Sequence, residues 1–287
     1  MARGMMAAKA IRLIRMDILQ KFLHLQVQED KKLLADGKEK STKKKALIFP
    51  RYHQLDVVRK LIADVRENGS GKNYLVEHSA GSGKSNSIAW VAYRLASLFD
   101  ENDKPMFNSV IIITDRKVLD QQLQETVSGF DHTIGSVITI DDKTEVGGEK
   151  NSKALRNAIN DGKRIIITTL QKFPVIYEQV EGVEGKKFAV IVDEAHSSQT
   201  GDSAKKLKIA LADKTDALKE WEEIEAENED KTPDSEDELI NEMTAHGNHK
   251  NLSFFAFTAT PKNKTLEMFG TRQADGSFKP FHVYSMR

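Results

Sequence analysis

The 287-residue chain contains no cysteine, which excludes a disulfide framework and thiolate metal sites and fits a reducing compartment. No uninterrupted apolar run reaches the roughly 20 residues of a membrane-spanning helix. An excess of charge of one sign is missing as well: 43 Lys/Arg face 43 Asp/Glu. A broadly basic mantle for nucleic acid is therefore excluded, and any such site must be a local patch. What is present is 39 % hydrophobic and 30 % charged residues, a globular balance in a chain long enough for one large α/β domain or two small ones.

The balanced charge is unevenly spread. Residues 1–60 hold 15 Lys/Arg against 6 Asp/Glu, whereas Glu220 to Glu242 hold 12 acids against Lys231 alone. The basic N-terminus does not read as a targeting peptide, because Lys9, Arg12 and Arg15 interrupt any apolar region and no small-residue cleavage site follows. Ile11, Ile14, Ile18 and Phe22, with Leu19 and Leu23, instead predict the apolar stripe of a helix. The lysine-rich stretch from Glu29 to Lys45, with Gly37, reads as a solvated loop or hairpin. A second amphipathic helix is predicted from about Tyr52 to Asn68, presenting Leu55, Val58, Leu61, Ile62 and Val65 and stopped by Gly69-Ser-Gly71.

Beyond it, strand and helix patterns alternate. Residues 73–77, 109–114, 136–140, 164–168, 188–192 and 252–257 read as strands, with helices at 86–95, 116–127 and 151–159. Continuous apolar strands separated by helices predict a mostly parallel sheet covered on both faces, with ligands at the C-terminal edge of the strands. One segment breaks the rhythm: residues 213–250 begin helically, then turn acidic, and read as a solvated insertion or an acidic arm for a basic partner.

The most informative residues are His78-Ser-Ala-Gly-Ser-Gly-Lys-Ser85, between a predicted strand and a predicted helix. Gly81 and Gly83 allow backbone N–H groups to approach a triphosphate, with Ser79 and Ser82 in the same loop. Lys84 reaches the outer phosphates, and the Ser85 hydroxyl sits on Mg²⁺ at a helix N-terminus. A Gly/Ser-rich linker shares the composition but not the strand-to-helix position. The phosphate-loop pattern G-x-x-x-x-G-K-[ST] carries His78 where its first glycine belongs. Further on, Asp193-Glu-Ala-His196 closes a buried strand, with Asp193 expected to hold Mg²⁺ and Glu194 to polarise an attacking water. His196 is expected to couple that site to the γ-phosphate or to a neighbouring lobe. Thr258-Ala-Thr260 closes the last strand, where its two hydroxyls can report the state of the acidic pair.

In this order the three words resemble motifs I, II and III of the superfamily 2 helicases. Together with Arg51-Tyr-His-Gln54, Thr114-Asp-Arg-Lys-Val-Leu-Asp-Gln-Gln-Leu123, Ala256-Phe-Thr-Ala-Thr-Pro-Lys262 and Val283-Tyr-Ser-Met-Arg287, they resemble the R, or motor, subunit of type I restriction enzymes, from about Ile18 onward. The resemblance implies a RecA-like P-loop NTPase lobe at 51–287, with the insertion at 213–250, behind a helical and linker extension at 1–50. It implies ATP and Mg²⁺, Gln54 reading the adenine with Arg51 or Tyr52 beside it, and DNA-backbone contacts from Thr114, Arg116 and Lys117 and from Thr168, Thr169 and Lys172. It further implies duplex DNA, modification and specificity subunits as partners, a prokaryotic cytoplasm, and a second motor lobe beginning near Arg287. That second lobe supplies an arginine needed for fast hydrolysis, so these residues alone would turn over ATP slowly at best. A Glu-x-Lys at 184–186 sits in a Gly-rich turn without an Asp-bearing strand upstream and does not read as a nuclease site. Two other readings stay open: the first lobe of another superfamily 2 helicase, and a non-hydrolysing scaffold with a vestigial loop.

Overall fold

Strands that are apolar at every position need cover on both faces, and the computed structural model supplies it. The structure describes residues 16–33, 39–114, 123–124, 126–129, 137–140, 151–169, 185–193 and 250–286. Its centre is a seven-stranded sheet of β3 (Tyr74–His78), β4 (Ser109–Thr114), β5 (Val137–Thr139), β6 (Ile165–Thr169), β7 (Phe188–Asp193), β8 (Leu252–Thr258) and β11 (His282–Tyr284). The order across the sheet is β11-β3-β8-β7-β4-β6-β5, and every ladder is parallel. The fold is α/β and RecA-like: the strand entering the phosphate loop and the strand ending in Asp193 lie on either side of β8.

Residue by residue, the strands divide their side chains between two cores, as the two-residue period of a strand requires. Val110, Ile112, Ala189, Ile191, Phe255 and Phe257 face one core with α1 (Tyr52–Asn68) and α2 (Lys84–Ala96). Ile111, Ile113, Phe188, Val190, Phe254 and Ala256 face the other. That second core is closed by Ala154, Ala158 and Ile159 of α3 (Asn151–Asn160) and by Met268 and Phe269 of α4 (Asn263–Phe269). α1 buries Val57, Val58, Leu61, Ile62 and Val65, the stripe its sequence spacing dictates, and ends at Gly69, which takes a φ of +73°.

The extension before α1 differs from its helical expectation. Among the described residues only 16–21 are helical, and β1 (His24–Leu33) and β2 (Glu39–Ile48) form an antiparallel hairpin in which Leu25 faces Leu47. The hairpin meets one of the two readings of the lysine-rich stretch, and its two-stranded ladder satisfies the backbone whatever the side chains are. The segment before it is anchored to the α/β body. Phe22 is buried, its carbonyl accepts a hydrogen bond from Trp90 Nε1 (3.0 Å), and Asp17 pairs with Arg59 (2.9 Å). Trp90 on α2 thus ties the first described residues to the helix that follows the phosphate loop. Trp90→Ala should cost about 3–5 kcal/mol of stability, measurable by urea denaturation. The pair β9 (Thr271–Arg272) and β10 (Phe278–Lys279), and the edge strand β11, follow α4.

Candidate functional site

β3 delivers His78 to the C-terminal edge of the sheet, and the chain then turns through 79–83 into α2. The turn needs two residues of left-handed conformation: Gly81 at φ +77° and Gly83 at φ +85°. Side-chain-bearing residues rarely adopt either. Gly83 is the N-cap of α2 and Lys84 its first residue, so the loop ends where unpaired helix N–H groups and the positive end of the helix dipole converge.

Neighbours on α1 hold the loop from below. Gln54 is 3 % exposed and sits inside the protein, not on its surface. Its Oε1 accepts the Arg51 N–H at 2.8 Å, and its Nε2 donates to the Gly83 carbonyl at 3.0 Å. His53 donates through Nε2 to the Ser82 carbonyl at 3.0 Å. A Cβ on Gly83 would lie 2.7 Å from Gln54 Nε2, so glycine is favoured there by φ and a larger residue would also displace the Gln54 amide. Gln54 thus holds the loop through both ends of its amide, a contact the sequence did not announce, while Tyr52 beside it is 82 % exposed.

On the acidic side, Asp193 ends β7 opposite Phe257 of β8. The next residue of β8, Thr258, is buried and accepts the Thr260 N–H on its Oγ1 at 3.3 Å. Thr258 is also in register with Glu77 of β3, so the third motif stands between the phosphate loop and the acid. Two strand spacings, about 10 Å, separate β3 from β7. Farther along the same edge, Thr114 and Thr168 are buried, and neither hydroxyl finds a hydrogen-bond partner among the described residues. Thr169 lies opposite Thr114 in register. Glu194, His196, Arg116, Lys117, Lys172, the Thr169 side chain and residues 213–249 lie outside the described residues.

Whether these residues suit a bound triphosphate can be judged from the loop itself. The two left-handed glycines put no side chain over the loop, and Ser82 Oγ is buried without a hydrogen-bond partner among the described residues. An unmatched hydroxyl beside a helix N-terminus is a group that a bound anion can satisfy. Among the described residues no group of three or more His, Cys, Asp and Glu is placed to hold a metal by itself. A divalent cation would thus need oxygen ligands from Ser85, Asp193 and a bound phosphate together.

One cluster escaped the sequence reading. His78 Nε2 lies 2.9 Å from His282 Nδ1, and His282 Nε2 lies 3.0 Å from Asp56 Oδ2. The Tyr284 ring stacks on His53 at 3.6 Å with 6° between planes. Burial, with the charges of His282, His53 and Lys84, pushes His78 down to about 3. Burial also lowers His282, against the opposing pull of Asp56. The unfolded chain then takes up protons that the folded chain refuses. Stability should be full above about pH 6.5 and, through His78, fall toward pH 3 by up to about 1.4 kcal/mol per unit, with His282 acting in the same direction. Urea titrations across that range should show a shallower fall in His78→Gln, whose amide does not titrate.

Known proteins can now be set beside this geometry. Residues 53–217 match the family model described as SWI2/SNF2 ATPase, more than half of the chain. The chain belongs to the SWI2/SNF2 ATPase family. Within that family it is 30 % identical over 167 residues to the type I restriction enzyme SauCOLORF180P endonuclease subunit of Staphylococcus aureus (strain COL), covering 56 % of this chain and 16 % of that protein. It is likewise 30 % identical over 176 residues to the type I restriction enzyme HindI endonuclease subunit of Haemophilus influenzae, covering 59 % and 16 %. The chain thus spans about one sixth of the length of the curated relatives it matches. Among solved structures, the Hef helicase domain of Pyrococcus furiosus aligns with a TM-score of 0.47 at 15 % identity, over 76 % of this chain and 35 % of that one. The UvsW helicase of bacteriophage T4 aligns at 0.41 and 15 %, over 83 % and 60 %. This SWI2/SNF2 ATPase chain thereby meets the expected resemblance to restriction-enzyme subunits. Among its described residues no helix is long and apolar enough to cross a membrane.

Proposed function

We propose that the chain is the nucleotide-binding lobe of an ATP-dependent motor that moves along duplex DNA within a type I restriction complex. The observation carrying this reading is the placement of the phosphate loop and Asp193 on either side of β8, in a chain whose relatives are restriction-enzyme endonuclease subunits. Gly81 and Gly83 present backbone N–H groups to the phosphates and Ser82 its hydroxyl, Ser79 closes the loop by accepting the Ser82 N–H, and Lys84 neutralises the outer phosphate oxygens. Ser85 and Asp193 hold Mg²⁺, which when bound draws off charge from the phosphates. Gln54 fixes the loop and, with Arg51 and Tyr52, forms the side toward the base. Glu194 orients water for attack, and His196 with Thr258 and Thr260 passes the state of the acid to neighbouring surfaces.

Thr114, Arg116, Lys117, Thr169 and Lys172 provide the DNA-facing side, by contacts that carry affinity and no sequence information. Target choice then resides in a specificity subunit, acting beside a modification subunit in a prokaryotic cytoplasm. Full hydrolysis needs a second lobe closing on the nucleotide with an arginine of its own. The test is duplex-dependent ATP turnover by a protein of the relatives' length containing these residues, run beside triplex-displacement and strand-separation assays. Turnover with triplex displacement and no unwound product is expected. Unwinding as the product would assign the lobe to a helicase of another kind, and unaltered activity in Lys84→Ala would leave a scaffold.

A further inference from the structure

We propose that the edge strand β11 is a positioning element of the phosphate loop, with His282 its principal positioning residue. This rests on the nucleotide-binding reading of the loop given above. The strand and Met286 just beyond it reach the loop by five contacts, four direct and one through His53. His282 joins His78, the loop's first residue, at 2.9 Å. The Ser79 N–H donates to the Tyr284 carbonyl at 3.0 Å, and the Met286 N–H donates to Ser79 Oγ at 3.1 Å. The Tyr284 ring stacks on His53, whose Nε2 donates to the Ser82 carbonyl. Met286 lies against Gly81, its Cε 3.3 Å from where a Cβ would stand. Every loop residue from His78 to Ser82 except Ala80 is thus met by β11, by Met286 just beyond it, or through His53. None of these contacts involves Lys84 or Ser85.

Proton positions in the histidine pair follow from its partners. Asp56 is a carboxylate that also pairs with Lys60 at 2.8 Å, and it only accepts. His282 Nε2 therefore carries the proton given to Asp56. A neutral imidazole has one donor and one acceptor, so His282 Nδ1 accepts and His78 Nε2 donates. The chain Asp56, His282, His78 has one direction, fixed at the end remote from the nucleotide. It replaces the freedom that a glycine at position 78 would give the loop with a side chain tied through Nε2 to His282. A phosphate loop held before its ligand arrives loses less entropy on binding.

Two measurements on this chain test the proposal. In calorimetric titrations with Mg–ATP, His282→Leu removes the acceptor for His78, whereas His282→Asn keeps an oxygen where Nδ1 stood. Affinity should fall about tenfold in the Leu variant and stay within about threefold of wild type in the Asn variant. Both variants lose the Asp56 contact, so a merely structural role would affect them alike. Equal affinities in the two variants, or unchanged affinity in His282→Leu, would overturn the proposal. A wild-type titration with no binding that Lys84→Ala removes would instead overturn the nucleotide reading, and the proposal with it. Independently of any nucleotide, ¹H–¹⁵N imidazole spectra of the wild-type chain at neutral pH should show His78 and His282 both protonated on Nε2 only. A proton on Nδ1 of either ring would refute the relay even if the variants do not fold.

Discussion

Lys84→Ala is expected to weaken Mg–ATP binding by roughly 10- to 150-fold, the effect of about 1.5–3 kcal/mol for a hydrogen bond between charged partners. Lys84 is the first residue of α2, directly after the left-handed Gly83, so its ammonium starts from the point where the loop and the helix dipole converge. Alanine has the highest helix propensity and leaves the loop glycines in place. The loss should therefore appear in nucleotide affinity and not in the urea midpoint. A variant that melts early would show instead that Lys84 holds the fold.

Gly83→Ala should behave in the opposite way, losing stability and affinity together. The residue sits at φ +85°, which costs an alanine about 1–2 kcal/mol, and its new Cβ would stand 2.7 Å from Gln54 Nε2. Gln54 would have to withdraw from the Gly83 carbonyl, forfeiting about another 1 kcal/mol and freeing the loop from α1. A total loss of about 2–3 kcal/mol in denaturation, with at least about a tenfold loss in Mg–ATP affinity, is expected. Gln54→Ala combined with Gly83→Ala should recover part of the stability, because the steric conflict is between these two residues. Additive losses in the double variant would show that the strain lies in the backbone alone.

Much of this architecture was legible because parallel strands buried on both faces are written as unbroken apolar runs. Ser109-Val-Ile-Ile-Ile-Thr114 and Phe188-Ala-Val-Ile-Val-Asp193 became strands within a residue of where the sequence set them. The loop at 78–85 was legible because glycine spacing and the Lys-Ser pair answer to phosphate chemistry before any packing is known. β11 was not. His282-Val-Tyr284 is too short to show a period, and its pairing with β3 is made across more than 200 residues. The hairpin of β1 and β2 was one of two readings of residues 29–45, but its extent out to His24 and Ile48 comes from the ladder and not from a side-chain period. Gln54 illustrates the remaining gap: helical spacing places it on a face of α1, but its partners are Arg51, three residues away, and Gly83, 29 residues away. His78 looked like a missing glycine, and only its contact with His282 shows what the side chain does.

Backbone amide shifts followed by NMR during a Mg–ATP titration test most directly whether residues 78–85 form the phosphate site. Saturable shifts should be largest at the amides of Gly81, Ser82, Gly83, Lys84 and Ser85, accompanied by Asp193, and should require at least about tenfold more Mg–ATP in Lys84→Ala. Saturable binding that left those amides unmoved, or that persisted unchanged in Lys84→Ala, would contradict the assignment of the loop.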